Sequence, residues 1–342
     1  MKTKIVCTIG PSSISTNVLD KMAKAGMNIA RINMSHGDFK YYSKIANNVK
    51  KIRGHKVELM TDTKGPEIRV CELKKPLVIK AGSVVTILTK VFKTPNKPNT
   101  FCVYDSTKKY NMAKDLKKGY RIAVDDGKLY LITISSDVKN GVIKAKALNT
   151  HTIVTNKRIN LPDSSYSMPF ISKRDIQNLK ESVQLKAKYI ALSFVCNAQN
   201  VKDTRKIVTK AGGKNIKLYS KIETQDGLNN IDSIIKASDG ILIARGDLAL
   251  ETPYYNVPYW EAQIIKKCKK AHKPVVVCTQ MLDSLERNIQ PTRAEVTDVY
   301  CAVSLGADAT MLSGETASGN NPVNAVKTMA TIIAAAEKRP IK

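Results

Sequence analysis

The sequence lacks any long apolar run. No stretch approaches the ~18 uninterrupted apolar residues of a membrane helix, and the opening segment, MKTKIVCTIG, lacks the apolar region of a signal peptide. Cysteine is also sparse: the seven residues are odd in number and form no Cys-x-x-Cys pair, so neither a disulfide framework nor a zinc site is indicated. We therefore expect a cytoplasmic protein with no membrane partner.

Acidic and aromatic residues are few beside the basic ones. The 342 residues include 56 Lys and Arg against 29 Asp and Glu, a net charge of +27, while aromatic residues make up 6%. This charge suits anionic ligands. A nucleic-acid partner is disfavoured, because the basic residues are spread along the chain and few aromatic side chains could stack on bases. No Walker loop or kinase glycine-rich loop is present either.

Short apolar runs alternate with longer segments of helical period, a pattern typical of repeated βα units around a parallel sheet. These runs predict strands at 4–10, 27–35, 57–64, 188–195, 216–223, 239–247, 274–281 and 307–314. Eight strands are the number that closes a TIM barrel. We therefore predict the α/β class and, within it, a (β/α)8 TIM barrel.

The regularity breaks once, between the third and fourth runs. Residues 67–160 carry no good helical period; they contain alternating β-rich runs separated by Gly, Asp-Gly and Asn-Gly turn signals. We predict a small antiparallel β-barrel domain at 67–160, inserted into a barrel catalytic domain formed by 1–66 and 161–342. Such an insertion would lie over the mouth of the active site as a lid.

Polar residues follow most of the predicted strands. The C-terminal strand ends of a TIM barrel build its active site, and alternate residues of a strand share a face. Salt bridges at the barrel rim are the alternative explanation for any single charged residue, but recurrence at strand after strand favours one cluster. The sets that can point together are Arg31 with Asn33 and Ser35, Lys221 with Glu223, and Arg245 with Asp247.

These residue types are suited to phosphoryl transfer. Glu223 and Asp247 supply hard oxygen ligands in a number suited to Mg²⁺, which takes its remaining ligands from water and substrate. Lys221 offers a compact positive charge, and Arg31 and Arg69 offer planar forks for phosphate or carboxylate oxygens. Cations and a metal together imply an anionic substrate, whose developing charge they would neutralise.

Ordered motifs run along almost the whole chain. They are TKIVCTIGPSS at 3–13, ARINMSHG at 30–37, DTKGPEIR at 62–69, SKIE at 220–223, SDGILIARGDLALE at 238–251, TQMLDS at 279–284, PTRAEVTDV at 291–299 and MLSGETASG at 311–319. A lone GDL or SGE would mean nothing, but this ordered set at predicted strand ends is highly specific. By these motifs the chain resembles the pyruvate kinase family.

The resemblance implies transfer of the phosphoryl group of phosphoenolpyruvate to ADP, followed by protonation of the enolate to give pyruvate. It also implies two cofactors, Mg²⁺ (or Mn²⁺) and K⁺. By matched motif, Glu223 and Asp247 would bind the Mg²⁺, and Glu67 in KGPEIR is typical of potassium-dependent members. The K⁺ would be bound by Asn33, Ser35, Asp62 and Thr63.

The same matching assigns the substrate contacts. Backbone groups at Gly246 and Asp247, with Thr279, would hold the substrate carboxylate, and Lys221 and Arg31 would stabilise the moving phosphoryl group. Thr279 would protonate the enolate through a water molecule, because a bare hydroxyl is a poor acid. The nucleotide phosphates would meet Arg31, Asn33, His36, Arg69 and Arg174.

The chain also departs from the family pattern. Cys196 in SFVCN stands where the family usually carries Arg, and Arg174 in SKRD stands where it usually carries a nucleotide-contacting Lys, which keeps the charge but changes its geometry. The stretch at 160–169 also diverges from the family pattern, so the sequence does not specify how the inserted domain closes.

The sequence given ends at Lys342, where most family members continue into a C-terminal domain that carries a sugar-phosphate effector site. We therefore expect no effector domain and no such allosteric control. We also expect a homodimer or a monomer rather than a tetramer.

Two other functions stay open at this point. One is a binding or regulatory protein that kept the barrel but lost turnover, which the presence of Lys221, Glu223, Asp247 and Thr279 disfavours. The other is a different phosphoenolpyruvate-type barrel enzyme, such as a lyase or an aldolase. Such an enzyme would keep the metal carboxylates but not the potassium-type loop at 62–69.

Overall fold

The structure, a computed structural model, describes residues 1–105 and 107–341. Its strands fall into three groups along the chain. The first group is β1 (Lys4–Thr8), β2 (Met27–Asn33) and β3 (Glu58–Asp62). The second is β4 (Ile68–Val70), β5 (Leu77–Ile79), β6 (Val84–Leu88), β7 (Thr100–Asp105), β8 (Arg121–Val124), β9 (Leu129–Asp137), β10 (Val142–Ala147), β11 (His151–Ile153) and β12 (Arg158–Asn160). The third is β13 (Tyr189–Leu192), β14 (Lys217–Ile222), β15 (Gly240–Ala244), β16 (Val275–Cys278) and β17 (Ala309–Leu312).

The first and third groups close one barrel of eight parallel strands, in the order β1, β17, β16, β15, β14, β13, β3 and β2. Each predicted run contains one of these strands, so the prediction of a (β/α)8 barrel is confirmed. The predicted runs extend past the C-terminal ends of the observed strands by one to three residues. The polar residues of the site lie at those ends and in the loops that follow them.

Helices surround this barrel. In the described residues they are α1 (Thr16–Ala25), α2 (Phe39–Lys50), α3 (Lys173–Gln184), α4 (Ala198–Lys210), α5 (Gln225–Asn229), α6 (Ile231–Ala237), α7 (Arg245–Glu251), α8 (Val257–Lys270), α9 (Arg293–Ser304), α10 (Gly314–Ala317) and α11 (Pro322–Lys338). Short 3₁₀ turns lie at Met112–Lys114, Tyr254–Asn256 and Asp283–Glu286. Across the described ranges, we find no helix with both the length and the apolar character needed to span a bilayer.

The larger barrel is packed on both sides of its strands. Inside, alternate residues of the strands form one buried layer, which includes Val6, Met60, Tyr219, Leu242 and Met311. The intervening residues face outward and pack against the helices in a larger buried cluster. Because alternate strand residues point to opposite faces, each strand fills both layers, and the barrel interior is a packed core rather than a pore.

The second group of strands forms a smaller barrel, as predicted, in the order β10, β6, β7, β4, β12, β8 and β9. Its pairs are antiparallel with one exception: β6 and β7 run parallel. Strands β5 and β11 pair separately as a two-stranded sheet. This unit has its own buried core around Ile87, Phe101 and Leu131. Strand β12 then leads the chain back toward α3.

Gly10, in the loop after β1, marks a close approach to α10, the short helix that follows the neighbouring strand β17. A Cβ atom there would lie 2.5 Å from the carbonyl oxygen of Ala317 and 2.9 Å from its carbonyl carbon, both backbone atoms of α10. The amide N–H of Ser12 donates to the same carbonyl over 3.0 Å. Only glycine lets β1 and α10 meet at this distance.

We predict that Gly10→Ala destabilises the protein by about 2 kcal/mol, because backbone atoms must move to admit the methyl group. Gly54→Ala is the control: it meets nothing within 4 Å and has a φ of +75°, so it carries only a backbone strain of about 1 kcal/mol. Urea unfolding of both variants measures the difference. Equal losses would show that the contact with Ala317 does not constrain residue 10.

Candidate active site

A cavity of about 120 Å³ opens at the C-terminal end of the larger barrel. Its walls come from the ends of the barrel strands, from the segment at 62–67 that leads into the smaller barrel, and from Arg158 of β12. The predicted site residues that line it are Arg31, Asn33, Ser35, Asp62, Thr63, Lys221, Glu223, Asp247 and Thr279. Residues that lie far apart in the sequence therefore share one small polar space.

Strand alternation explains why these side chains meet. On β14, Tyr219 belongs to the buried interior layer, and Lys221 and Glu223 follow it on the same face. On β3, Met60 lies in that layer and Asp62 comes next. On these two strands the interior face thus changes from apolar to polar at the C-terminal end. The cavity lies directly above the apolar layer.

Asp62 is the centre of a buried charge network. Its side chain is 1% exposed, and its Oδ2 atom accepts bonds from Arg31 Nε at 2.8 Å and Arg31 Nη2 at 2.7 Å. Its Oδ1 atom accepts from Ser193 Oγ at 3.1 Å and lies 3.3 Å from Lys221 Nζ. Burial raises the pKa of Asp62, but Lys221 and Arg31 outweigh it, so the pKa lies below its usual value. This carboxylate is ionised at neutral pH.

Lys221 lies between two carboxylates. Its Nζ atom is 3.1 Å from Glu223 Oε1, 3.3 Å from Asp62 Oδ1 and 2.9 Å from Ser193 Oγ, to which it donates. Burial lowers the pKa of Lys221, but Asp62 and Glu223 outweigh this effect and leave the pKa above its usual value. The ammonium therefore keeps a full positive charge at the floor of the cavity.

Glu223 is held from the other side by a backbone amide. Its side chain is 1% exposed, and its Oε2 atom accepts the Phe194 N–H over 2.6 Å. Phe194 has a φ of +58°, a left-handed conformation that is strained for an aromatic residue. Burial raises the pKa of Glu223 to about 7, although Lys221 lowers it. A cation bound at this carboxylate would favour the ionised form.

Asp247 comes from the first turn of α7, immediately after β15. Its Oδ1 atom pairs with Nη1 of Arg158, and its side chain is 18% exposed. The expectation that Arg245 points the same way is wrong, because β15 ends at Ala244 and residues 245 and 247 are helical, so strand alternation no longer applies. Arg245 instead pairs with Asp298 at 2.6 Å and Glu261 at 3.0 Å.

Thr279 follows β16 with an unusual backbone. Its φ is +78°, and that of Gln280 is +55°, so two consecutive non-glycine residues are left-handed. Arg245 Nη2 donates to the Thr279 carbonyl over 2.9 Å and so fixes this segment. A Cβ on Gly246 would lie 2.7 Å from Thr279 Cγ2. Glycine at 246 therefore allows the start of α7 to approach the Thr279 side chain.

Besides Gly246, three predicted site residues lie outside the cavity lining. His36 and Arg174 are exposed. Arg174 lies beside the Tyr42 hydroxyl, which is 3.0 Å from the carbonyl oxygens of Met34 and Gly37, so it lies near the loop that carries His36. Arg69 is the third of these residues.

Arg69 is engaged with its own domain. It donates to Glu67 Oε2 over 2.9 Å and to the carbonyl of Asn156 over 2.8 Å. Glu67 itself is 4% exposed and lines the cavity. Arg69 therefore contacts a residue of the cavity wall but does not line the cavity itself.

Residues absent from the sequence-based prediction also line the cavity, above all Ser193 and Arg158. Ser193 lies in a predicted run, one residue beyond the end of β13, and its Oγ atom bonds Asp62, Lys221 and the Thr63 carbonyl. The strand-end rule that selected Asp62 could have found it. Arg158 comes from the smaller barrel and left no comparable signal. Cys196 lies outside the lining, with its Sγ atom 3.4 Å from the Phe194 carbonyl oxygen.

The donors in the cavity are suited to hard cations. No group of three or more His, Cys, Asp or Glu side chains arranged for a metal occurs within residues 1–105 and 107–341. The cavity does contain a pair of carboxylates, Glu223 and Asp247. Mg²⁺ commonly binds through one or two carboxylates when substrate oxygens complete its shell. Around Asp62, the oxygen-bearing residues Asn33, Ser35 and Thr63 line the same space. The residues present are therefore compatible with a divalent and a monovalent cation.

The fold and the site together define a class: (β/α)8-barrel proteins with paired carboxylates and fixed cations arranged around an anionic ligand. The chain belongs to the pyruvate kinase family, because the family model described as "Pyruvate kinase, barrel domain" matches residues 1–326.

Individual relatives agree with this membership. The chain is 49% identical over 318 residues to the pyruvate kinase of Mycoplasma pneumoniae, covering 92% of this chain and 62% of that protein. It is 46% identical to that of Mycoplasma genitalium, covering 97% of this chain and 70% of the relative. A crystal structure of a pyruvate kinase from Cryptosporidium parvum superposes with a TM-score of 0.93 at 38% identity, covering 99% of this chain and 70% of that one. The chain thus spans roughly two thirds of the length of these relatives.

A further buried carboxyl group, Glu251, lies at the C-terminal end of α7 and is 3% exposed. Its Oε1 atom accepts bonds from the Tyr166 hydroxyl at 2.7 Å and from Asn160 Nδ2 at 2.8 Å. Burial raises the pKa of Glu251 to about 7, although these two hydrogen bonds lower it. Both partners belong to the segment that returns from the smaller barrel, so Glu251 links α7 to that segment.

The pKa of Glu251 gives a prediction about stability and pH. Because the pKa of Glu251 is raised to about 7 in the folded protein, the fold favours the protonated form of this side chain. The stability that protonation of Glu251 contributes is full below the unfolded pKa of about 4.3 and is lost as pH rises through about 7. Glu251→Gln does not titrate. We expect its free energy of unfolding, relative to wild type, to rise by up to about 3 kcal/mol between pH 5 and pH 8.

Urea unfolding at several pH values measures this difference. Asp232→Asn, which changes a side chain that is 75% exposed, is the control and should keep a constant difference from wild type. A pH-independent difference for Glu251→Gln would contradict the raised pKa.

Proposed function

We propose that this protein is a pyruvate kinase, which transfers the phosphoryl group of phosphoenolpyruvate to ADP and yields ATP and pyruvate. The observation that carries the proposal is the convergence of Arg31, Lys221, Glu223 and Asp247 on one cavity at the end of a family-typical barrel. In the reaction, an ADP phosphate oxygen forms a new bond to phosphorus as the bond between phosphorus and the enol oxygen breaks. The enolate then takes up a proton at carbon.

Glu223 and Asp247 would hold Mg²⁺ or Mn²⁺, which, when bound, neutralises oxygens of the substrate and of the moving phosphoryl group. The two fixed cations, Lys221 and Arg31, supply the remaining positive charge. Both are held in place before substrate arrives, Lys221 by Asp62 and Ser193, and Arg31 by Asp62. Charges fixed in advance need no reorganisation during the reaction, which is the main source of their catalytic effect.

The substrate carboxylate would be held by backbone groups at Gly246 and Asp247 and by the Thr279 hydroxyl. The close packing of residue 246 against Thr279 supports this grouping. Thr279 would also pass a proton to the enolate through a water molecule, since its own hydroxyl is too weak an acid to act directly. The monovalent ion K⁺ would bind among Asn33, Ser35, Asp62 and Thr63, which share the cavity wall.

The nucleotide phosphates would be met by Asn33 inside the cavity and by His36, Arg69 and Arg174 outside it. Arg174 is exposed and can reach a ligand that extends beyond the cavity, and its proximity to the loop that carries His36 supports a shared contact. Arg174 presents a fork where a lysine would present a point charge, which suits two oxygens of one phosphate.

A coupled assay tests the proposed activity directly. Purified protein should form pyruvate from phosphoenolpyruvate only when ADP and Mg²⁺ are both present, and K⁺ should increase the rate. Lactate dehydrogenase and NADH report the pyruvate, and omission of ADP gives the background. Absence of ADP-dependent pyruvate would overturn the proposed function.

A second experiment isolates Lys221. We expect Lys221→Met to lower kcat by about 10²–10³-fold, because the variant loses a fixed positive charge beside the transferred group. The fold should persist, because Glu223, with its pKa of about 7, can take up a proton when its partner is lost. Lys217→Met is the matched control: it lies on the same strand, its side chain is 56% exposed, and its ion-pair partner is Asp239.

Far-UV circular dichroism and the melting temperature check that both variants fold. Retained turnover in folded Lys221→Met, or an equal loss of turnover in Lys217→Met, would contradict the proposed role of Lys221.

A further inference from the structure

Arg158 occupies the cavity without a role in the reaction described so far. It belongs to β12, the last strand of the smaller barrel, and its guanidinium group reaches across to the larger one. Nη1 pairs with Oδ1 of Asp247, and Nη2 lies 3.0 Å from Oε1 of Glu67. The guanidinium carbon also lies 5.7 Å from the centre of the Phe194 ring, within the range of a cation–π contact.

Each of the two carboxylates that would hold the divalent ion thus carries a cation of the chain. Lys221 neutralises Glu223 at 3.1 Å, and Arg158 neutralises Asp247. Lys221 is fixed, because Asp62 and Ser193 also hold it within the same barrel. Arg158 differs, because it comes from the other domain.

Arg158 also has a second anionic partner. A guanidinium group that leaves Asp247 can stay on Glu67 and over the Phe194 ring, so its charge need not return to solvent. A divalent ion close to Arg158 would be repelled more strongly than in water, because the surroundings are partly buried and screen charge poorly. Binding of the metal ion to Asp247 and pairing of Arg158 with Asp247 therefore oppose each other.

We propose that Arg158 is a built-in counter-ion that competes with the divalent cation for Asp247, so that metal binding requires Arg158 to leave this carboxylate. The proposal rests on the proposed function, because it takes Glu223 and Asp247 as the metal ligands. It adds a positioning residue from the smaller barrel that sets the affinity of the substrate-free site for metal.

Direct binding of Mn²⁺ without substrate tests this competition, with the free ion measured by electron paramagnetic resonance. We expect Arg158→Gln to bind Mn²⁺ about fivefold more tightly than wild type, in the range of ordinary coupling between sites. Arg158→Lys should lie between them, because it keeps the charge but loses the two-pronged contact. Its affinity decides the matter if Arg158→Gln does not fold.

Lys64→Gln is the charge-matched control. Lys64 lines the same cavity, but its carboxylate neighbour is Glu67, at 3.7 Å. Asp247, the proposed metal ligand, pairs with Arg158 instead. A smaller change in this variant than in Arg158→Gln supports competition at Asp247. Equal tightening in both variants would mean that any positive charge in the cavity has the effect, and would overturn the proposal.

The outcomes also separate this proposal from the proposed function. If wild type binds Mn²⁺ and Asp247→Asn loses the binding, the metal site stands. Unchanged or weaker affinity in Arg158→Gln then overturns the counter-ion role alone. If neither wild type nor Arg158→Gln binds Mn²⁺, the metal site and the proposal that rests on it both fail.

Discussion

The buried ion pairs of Asp62 are the interaction on which the rest of the site depends. Asp62 and Glu223 are each 1% exposed, and such carboxylates are tolerated only when paired and hydrogen-bonded. Arg31 and Lys221 supply the pairing, and Ser193 and the Phe194 N–H complete the hydrogen bonds. Each member loses a charge partner or a hydrogen bond when a neighbour is removed, so the members constrain one another's positions.

The sequence predicts much of this arrangement because one geometric rule governs it. Alternate residues of a strand share a face, so the interior of β14 passes from Tyr219 to Lys221, and Glu223 continues this face one residue past the strand. Eight apolar runs of strand length were enough to predict the barrel, since β-rich and helical periods differ clearly. The predicted strands and the predicted site agree with each other because the polar residues of the site lie at the ends of the predicted strands.

Two features could not be predicted, and both lie where that rule stops. Strand alternation predicts that Arg245 points with Asp247, but the chain turns into α7 at residue 245, so Arg245 points toward Asp298 and supports the Thr279 backbone. Arg158 meets Asp247 across 89 residues of sequence and between two domains. A contact of that kind depends on how the two barrels pack together, which neither periodicity nor a local motif encodes.

The helix α7 shows why the packing of the two barrels matters for the chemistry. Besides the pair between Asp247 and Arg158, Glu251 is held by Asn160 and Tyr166, and a Cβ on Gly127 would lie 2.8 Å from a methyl group of Leu250. A helix of two turns is thus attached to the smaller barrel at both ends, while Glu223 is fixed to the larger one. The smaller barrel therefore contributes to the placement of Asp247 relative to Glu223, and a substitution on that barrel can alter cation binding without touching either carboxylate.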